Sequence, residues 1–371
     1  MSQDNRPLHE RIKPLGWIRN PLRNALFGLI QDVFQTEDGR AIAAGSLHGL
    51  LHWQPGMALI PADGSQPPYP DLGRPRLEKL TGLRTDVVFI TARFRTGSTL
   101  LWNLFRNIEG ITSYYEPFNE RRWFDPAVRG EKMDGSHRNV SAYWWEYDKL
   151  EELGEYFRDD WAYRNLFMDD TAWEPDMKRY VELLIEKAPG RPVLQFNRID
   201  FRLPWFRRNF PGAKIVHLYR HPRDQWCSAL VDVQCFPKDG RVEDFTLHDR
   251  FYLLPWARDL QYHFPFLNVK SVSHPYELFY YLWKLSYLFG LRYAHFTLAF
   301  EDLVKDPVGK LKQLFEVLGV GNYDLERLNG LLVKPAQQKW KAYAEEEWFL
   351  RHEENCETVL AEFFQASACP S

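Results

Sequence analysis

Near residue 85 the pattern of apolar positions changes from irregular to alternating, with short unbroken apolar runs separated by segments of helical period. "DVVFIT" (86–91) is continuously apolar, as expected of a parallel strand covered on both faces. A helix follows from Ser98, with Leu100, Leu101, Leu104 and Phe105 at helical spacing. "ITSYY", "RPVLQFN" (191–197), "AKIVHLYR" (213–220) and "HFTLAF" (295–300) read as further strands. Between the middle two, "FRLPWFRRNFPG" reads as a short helix ended by Pro and Gly, and another helix runs from about Pro307 to Gly319. Strands spaced by helices imply βαβ units. The expected fold class is therefore α/β, a central parallel sheet flanked by helices.

Two aromatic and charged insertions, about 120–180 and 235–290, interrupt the alternation. "SAYWWEYDKLEELGEYFRDDWAYRNLF" and "HPYELFYYLWKLSYLFGLRYAHF" both read as helical, placed to cover the loop ends of the sheet, where open α/β folds bind ligands. Residues 1–83 read as an N-terminal extension packed on the core, with an amphipathic helix from Leu22 to Phe34 and a Gly/Pro-rich loop after it. Residues 84–371 form the main domain.

Composition narrows the function classes. The 371 residues are 45% hydrophobic and 26% charged, a globular profile, and a net charge of −3 gives no reason to expect nucleic acid as a partner. The apolar stretches of the N-terminus are too short for a membrane span or a signal peptide, so a cytoplasmic location is expected. The four cysteines form no CxxC pair and no zinc-like spacing, so no metal site is expected and a reducing compartment fits. Aromatic residues reach 16%, with 14 Trp; such rings line sites for sugars and flat organic molecules, and large cores use them too.

The candidate chemistry begins where the first strand ends. "RFRTGSTL" (93–100) follows a buried strand and opens a helix, a geometry that offers backbone N–H groups and the positive helix end to an anion. Thr96, Gly97, Ser98 and Thr99 supply N–H groups and hydroxyls, Gly97 permits close backbone approach, and Arg95, with Arg93 behind it, supplies charge. A nucleoside triphosphate loop would read GxxxxGK[ST]; this one has no Lys and a single Gly. Taken alone, the loop equally suits an ordinary helix capped by Ser98. A second cluster, "KIVHLYRHPRDQWCSAL", puts Arg220 at a strand end and Ser228 a little over two helical turns further on. Two anion sites on two βα turns imply a ligand with two separated phosphate-like groups. Arg207 and Arg208 read as a solvated basic face.

"RTGSTLLWNLF", "YYEPF", "HLYRHPRDQWCSAL" and "FEDLVKDPVGKLKQLFEVLGV", in this order, resemble the PAPS-dependent sulfotransferases, nearest to their carbohydrate branch and its bacterial relatives. The resemblance covers about residues 85–320 and implies a P-loop-like fold. It also implies 3′-phosphoadenosine 5′-phosphosulfate (PAPS) as donor and PAP as product. Arg95, Thr96, Gly97, Ser98, Thr99 and Leu100 would hold the 5′-phosphosulfate; Arg220 and Ser228 would hold the 3′-phosphate. Arg95 would also act catalytically, on the leaving oxygen. Glu116 would be the general base toward a small-molecule or glycan acceptor, with Pro117 holding it extended. His217, mid-strand, and His221, where the family has an Asp, are rival bases. Glu301 and Asp302 would order the last strand–helix turn. The C-terminal Gly-rich loop ending in Lys of the cytosolic aryl and alcohol sulfotransferases has no counterpart after Val320, which favours the carbohydrate-like branch. The competing readings are a kinase or NTPase with a degenerate loop, which would need Mg²⁺, and a non-catalytic relative. Neither the acceptor nor the oligomeric state follows from the sequence.

Overall fold

The computed structural model describes residues 84–135, 137, 139–230, 232–332 and 338–368. The expectations for residues 1–83 lie outside them. Five strands form one sheet: β1 (Val88–Ala92), β2 (Ile111–Tyr115), β3 (Arg191–Phe196), β4 (Lys214–Tyr219) and β5 (Phe296–Ala299). All pairings are parallel and the order is β2-β3-β1-β4-β5. The α/β expectation is met. β1 is central and all five of its residues are buried, which is why its sequence is apolar without alternation.

Helix α1 (Ser98–Arg106) follows β1 and leads to the β2 edge; α2 (Pro175–Lys187) leads to β3 and α3 (Leu203–Asn209) to β4. The chain leaving β1 thus heads for one edge of the sheet, and the chain leaving β4 for the other. Neighbouring strands whose loops part in this way leave a crevice at their C-terminal ends.

After β4 come α4 (Pro222–Ala229), α5 (Leu253–Leu260) and the long aromatic α6 (Pro275–Tyr293). Pro275 is at N1 of α6 and the His274 side chain accepts the Tyr276 N–H, so composition and capping agree on its start. The helix packs against both β4 and the C-terminal α10, and half of its rings, Tyr276, Phe279, Tyr280 and Tyr281, are buried. β5 runs into α7 (Phe300–Lys305) and α8 (Pro307–Leu318), followed by α9 (Leu325–Leu331) and α10 (Glu346–Ala368).

The second insertion is helical as expected; the first is not. Residues 141–167 form three short 3₁₀ turns, Trp145–Tyr147, Glu151–Glu155 and Asp159–Ala162. Lys149 and Asn165 have positive φ (67° and 49°), which a continuing α-helix does not allow. Tyr147, Leu153 and Trp161 each drive a separate turn into the core, overriding a pattern of roughly helical spacing. Among the described residues, no helix is long and apolar enough to cross a membrane.

Candidate active site

Sheet register assembles the site. Tyr115 pairs with Gln195, and Thr91 with Phe196 and His217, so the chain leaves β1, β2, β3 and β4 at one edge. There a cleft of about 610 Å³ opens. Arg95, Gly97, Ser98, Thr99, Leu100, Glu116, Arg220 and Ser228 all line it, residues from three separate loops.

The loop after β1 is bent by two left-handed residues, Arg95 (φ 66°) and Gly97 (φ 94°). At Gly97 a second constraint applies, since a Cβ would lie 2.3 Å from the Phe300 ring. The close approach that requires glycine is to this ring. Gly97 is the N-cap of α1 and no side chain caps the helix. The Ser98 hydroxyl donates instead to Asn197 Oδ1 at 3.2 Å, so the capping role considered for Ser98 does not occur. The N–H groups of Thr96, Gly97, Ser98 and Thr99 have no acceptor among the described residues. Thr96 turns its hydroxyl onto the Arg93 carbonyl at 2.8 Å and is buried. Thr99 shares hydrogen bonds with the Tyr115 hydroxyl (3.1 Å) and His137 Nε2 (3.2 Å).

The two arginines of the loop diverge. Arg93 is buried over the Trp256 ring, 4.7 Å from its centroid, and lies outside the cleft; burial pulls its pKa down to about 10. Arg95 lines the cleft, where its Nε donates to Ser228 Oγ at 3.2 Å and its Nη1 lies 3.6 Å from Asp134. Arg220, just past β4, donates from Nη1 to the Arg95 carbonyl at 3.2 Å. Its guanidinium lies over Phe300 at 5.2 Å, and its buried Nε has no hydrogen-bond partner among the described residues. Burial lowers the Arg220 pKa, against the pull of Asp224 and Glu301. Arg95 thus ties the loop after β1 to both Arg220 and Ser228.

Glu116 faces these groups across the cleft. Its φ is 39°, left-handed, so the extended conformation expected before Pro117 does not form. Its carboxylate is buried and accepts three donors: Asn119 Nδ2 at 2.7 Å, Arg198 Nη1 at 2.9 Å, and Asn197 Nδ2. Asn197 therefore links Ser98 to Glu116.

The rival bases are elsewhere. His217 is buried against α6 with both ring nitrogens unpartnered, and burial pulls its pKa down to about 3. A Cβ on Gly290 would lie 2.1 Å from its Nδ1. His221 is exposed, and its N–H is bound by Glu301 Oε1 at 3.0 Å. Glu301 thereby ties the turn after β5 to the start of α4. Arg207 and Arg208 are exposed, whereas Arg202 is buried and donates to four backbone carbonyls.

The sequence reading missed Glu120, His137, Asn197, Arg198, Tyr252 and Lys339, all in the cleft lining. Asn197 and Arg198 carry a usable signal, because they follow a buried strand directly at its C-terminal end. Lys339 brings a cation from the C-terminal region with no glycine-rich motif around it.

Residues 87–324 match the model of the sulfotransferase family. The chain is 26% identical over 297 residues to an omega-hydroxy-beta-dihydromenaquinone-9 sulfotransferase of Mycobacterium bovis, covering 69% of each chain. A solved sulfotransferase from Mycobacterium avium shares 15% identity, covers 76% of both chains and gives a TM-score of 0.42. One from Alicyclobacillus acidocaldarius shares 17% identity over 75% of this chain and 95% of the other, with a TM-score of 0.36.

Proposed function

The chain belongs to the sulfotransferase family, and from that premise we propose that it moves a sulfuryl group from PAPS to an acceptor hydroxyl, with Glu116 as general base. The observation that carries this reading is that Arg95, Gly97, Ser98, Thr99, Arg220 and Ser228 line one cleft together with Glu116, with Arg95 bonded to both Arg220 and Ser228. The donor set fits a doubly anionic nucleotide. Four N–H groups at a helix start and the buried, partnerless Nε of Arg220 are donors that an anion would satisfy. Bound there, PAPS supplies the activated sulfuryl group.

The roles of the chain's own residues follow. Thr96 to Thr99 hold the 5′ end through backbone N–H groups, and Leu100 lies against it. Arg220 and Ser228 hold the 3′-phosphate, and Arg95, bonded to Ser228, places its charge where the leaving phosphate oxygen gains an electron pair. Glu116 accepts the hydroxyl proton as the acceptor oxygen bonds to sulfur and the sulfur–oxygen bond to phosphate breaks. Such transfers are governed by positioning and charge stabilisation. The Mycobacterium bovis relative is named for an omega-hydroxy compound, so alcohols, whether glycan, lipid-linked or free, are the first acceptors to assay.

Glu116→Gln keeps the side chain's shape and removes its basicity. Turnover falls by about 10²–10⁴-fold, measured with radiolabelled PAPS over an alcohol panel, while PAP affinity by calorimetry stays within about twofold. Unchanged turnover rejects Glu116 as the base.

A further inference from the structure

The carboxylate assigned as base belongs to a chain of charges. Arg198 donates from Nη1 to Glu116 Oε2 at 2.9 Å and from Nη2 to Glu120 Oε2 at 2.7 Å. The other Glu120 oxygen accepts the Tyr252 hydroxyl. Arg198 is 3% exposed, and its guanidinium lies over Phe94 at 5.0 Å and Tyr252 at 5.8 Å. One buried positive charge is thereby divided between two carboxylates. Burial alone would lower the Arg198 pKa; Glu116 and Glu120 outweigh it and hold the pKa above its ordinary value. The two acids are not equivalent. Glu116 is buried and receives two further amide donors, whereas the Glu120 side chain is 42% exposed at the cleft margin.

We propose that Glu120 is a positioning residue for the reaction: by drawing Arg198's charge toward itself it keeps Glu116 able to take a proton, while Arg198 fixes Glu116 in the orientation that faces the cleft. The proposal rests on the reading of Glu116 as base. An opposite charge within about 4–6 Å favours the ionised form of a carboxylate, and a like charge opposes it. Neutralising Glu120 therefore leaves Arg198 undivided on Glu116 and weakens it as a base. Removing Arg198 leaves two carboxylates facing each other and has the opposite effect. A loss of packing does not produce shifts of opposite sign.

The other ionisable groups around Glu116 are Tyr115, Tyr143, Tyr147 and His137, with Arg95 and Asp134 beyond His137. Burial holds the Tyr143 pKa up to about 12 and raises those of Tyr115 and Tyr147 well above the ordinary phenol value, so these do not titrate near neutrality. Burial pulls the His137 pKa below the ordinary imidazole value. His137→Gln identifies any part of the profile that belongs to it.

The test compares wild type, Glu120→Gln, Arg198→Met and Arg198→Lys by two measurements. One is the pH profile of kcat/KM. The other is NMR titration of carboxyl-¹³C glutamate in the nucleotide-free protein, with the Glu116 signal identified by its loss in Glu116→Gln. Glu120→Gln moves the Glu116 titration and the acid limb to lower pH by roughly half a unit to one unit. Arg198→Met moves both up by about one unit or more, and Arg198→Lys restores part of that shift. A Glu116 titration that stays put or moves the same way in both variants overturns the proposal. If it moves as expected while the acid limb does not follow, the divided charge stands and the assignment of Glu116 as base fails. Should Arg198→Met not fold, the direction of the Glu120→Gln shift decides alone.

Discussion

On the wall formed after β1 and β4, Arg220 Nε and the N–H groups of Thr96 to Thr99 lack acceptors among the described residues. On the wall formed after β2 and β3, Glu116 accepts three donors and Arg198 meets two carboxylates, with only its Nε unmatched. The first wall carries unmet donors, and on the second each charge already has a partner, one cation against two carboxylates. Unmet donors gain most from an anion. A wall whose charges are paired and lean negative gains little from one, and its fixed orientation suits a neutral hydroxyl that has to be aimed. The division of labour between donor and acceptor thus follows from hydrogen-bond accounting.

Unfolding energies test this contrast most severely. Glu116→Ala leaves the buried Arg198 guanidinium with Glu120 as its remaining carboxylate and orphans the Asn119 and Asn197 amide donors, which costs about 3–5 kcal/mol, read from urea unfolding without nucleotide. Arg220→Ala removes a desolvated, half-satisfied cation and changes stability by no more than about 1 kcal/mol. Equal losses would erase the distinction between the walls. Nucleotide affinity should show the reverse ranking. Arg220→Ala loses charge-assisted hydrogen bonds of about 1.5–3 kcal/mol to PAP, seen by calorimetry, with a smaller loss for adenosine 5′-phosphosulfate, which lacks the 3′-phosphate. Equal losses for the two nucleotides remove Arg220 from the 3′ grip. The mildest effect is that of Ser228→Ala, which deletes the acceptor of Arg95 Nε. It costs about 1 kcal/mol of PAP affinity and leaves the unfolding midpoint unchanged within error.

The sequence carried the strands because each is a short local run, continuously apolar and buried on both faces in Val88–Ala92 and only half-buried in β5 at the sheet edge. It did not carry their order, which depends on pairings between distant segments such as Tyr115 with Gln195. The loop around Gly97 and the Arg220–Ser228 pair were legible as motifs on βα turns. Arg198 was not, since only register brings it to Glu116, and Glu120, four residues after Glu116, acquires its role through Arg198 alone. Charge by itself is also ambiguous: Arg198 and Arg202 lie four residues apart and are both buried, yet one meets carboxylates and the other only backbone carbonyls. The left-handed Glu116 escaped the expectation for a residue before proline because backbone preference yielded to the three donors that hold its side chain.

Phe300 belongs to neither anion loop, yet its ring fills the space against Gly97 and lies beneath the Arg220 guanidinium. It acts as a gauge block between them. On the proposed function, the distance at which two negative groups are held together is set by the width of one aromatic ring delivered from the turn after β5. A donor with a different interval between its phosphates would call for a different residue at 300, with both loops left as they are.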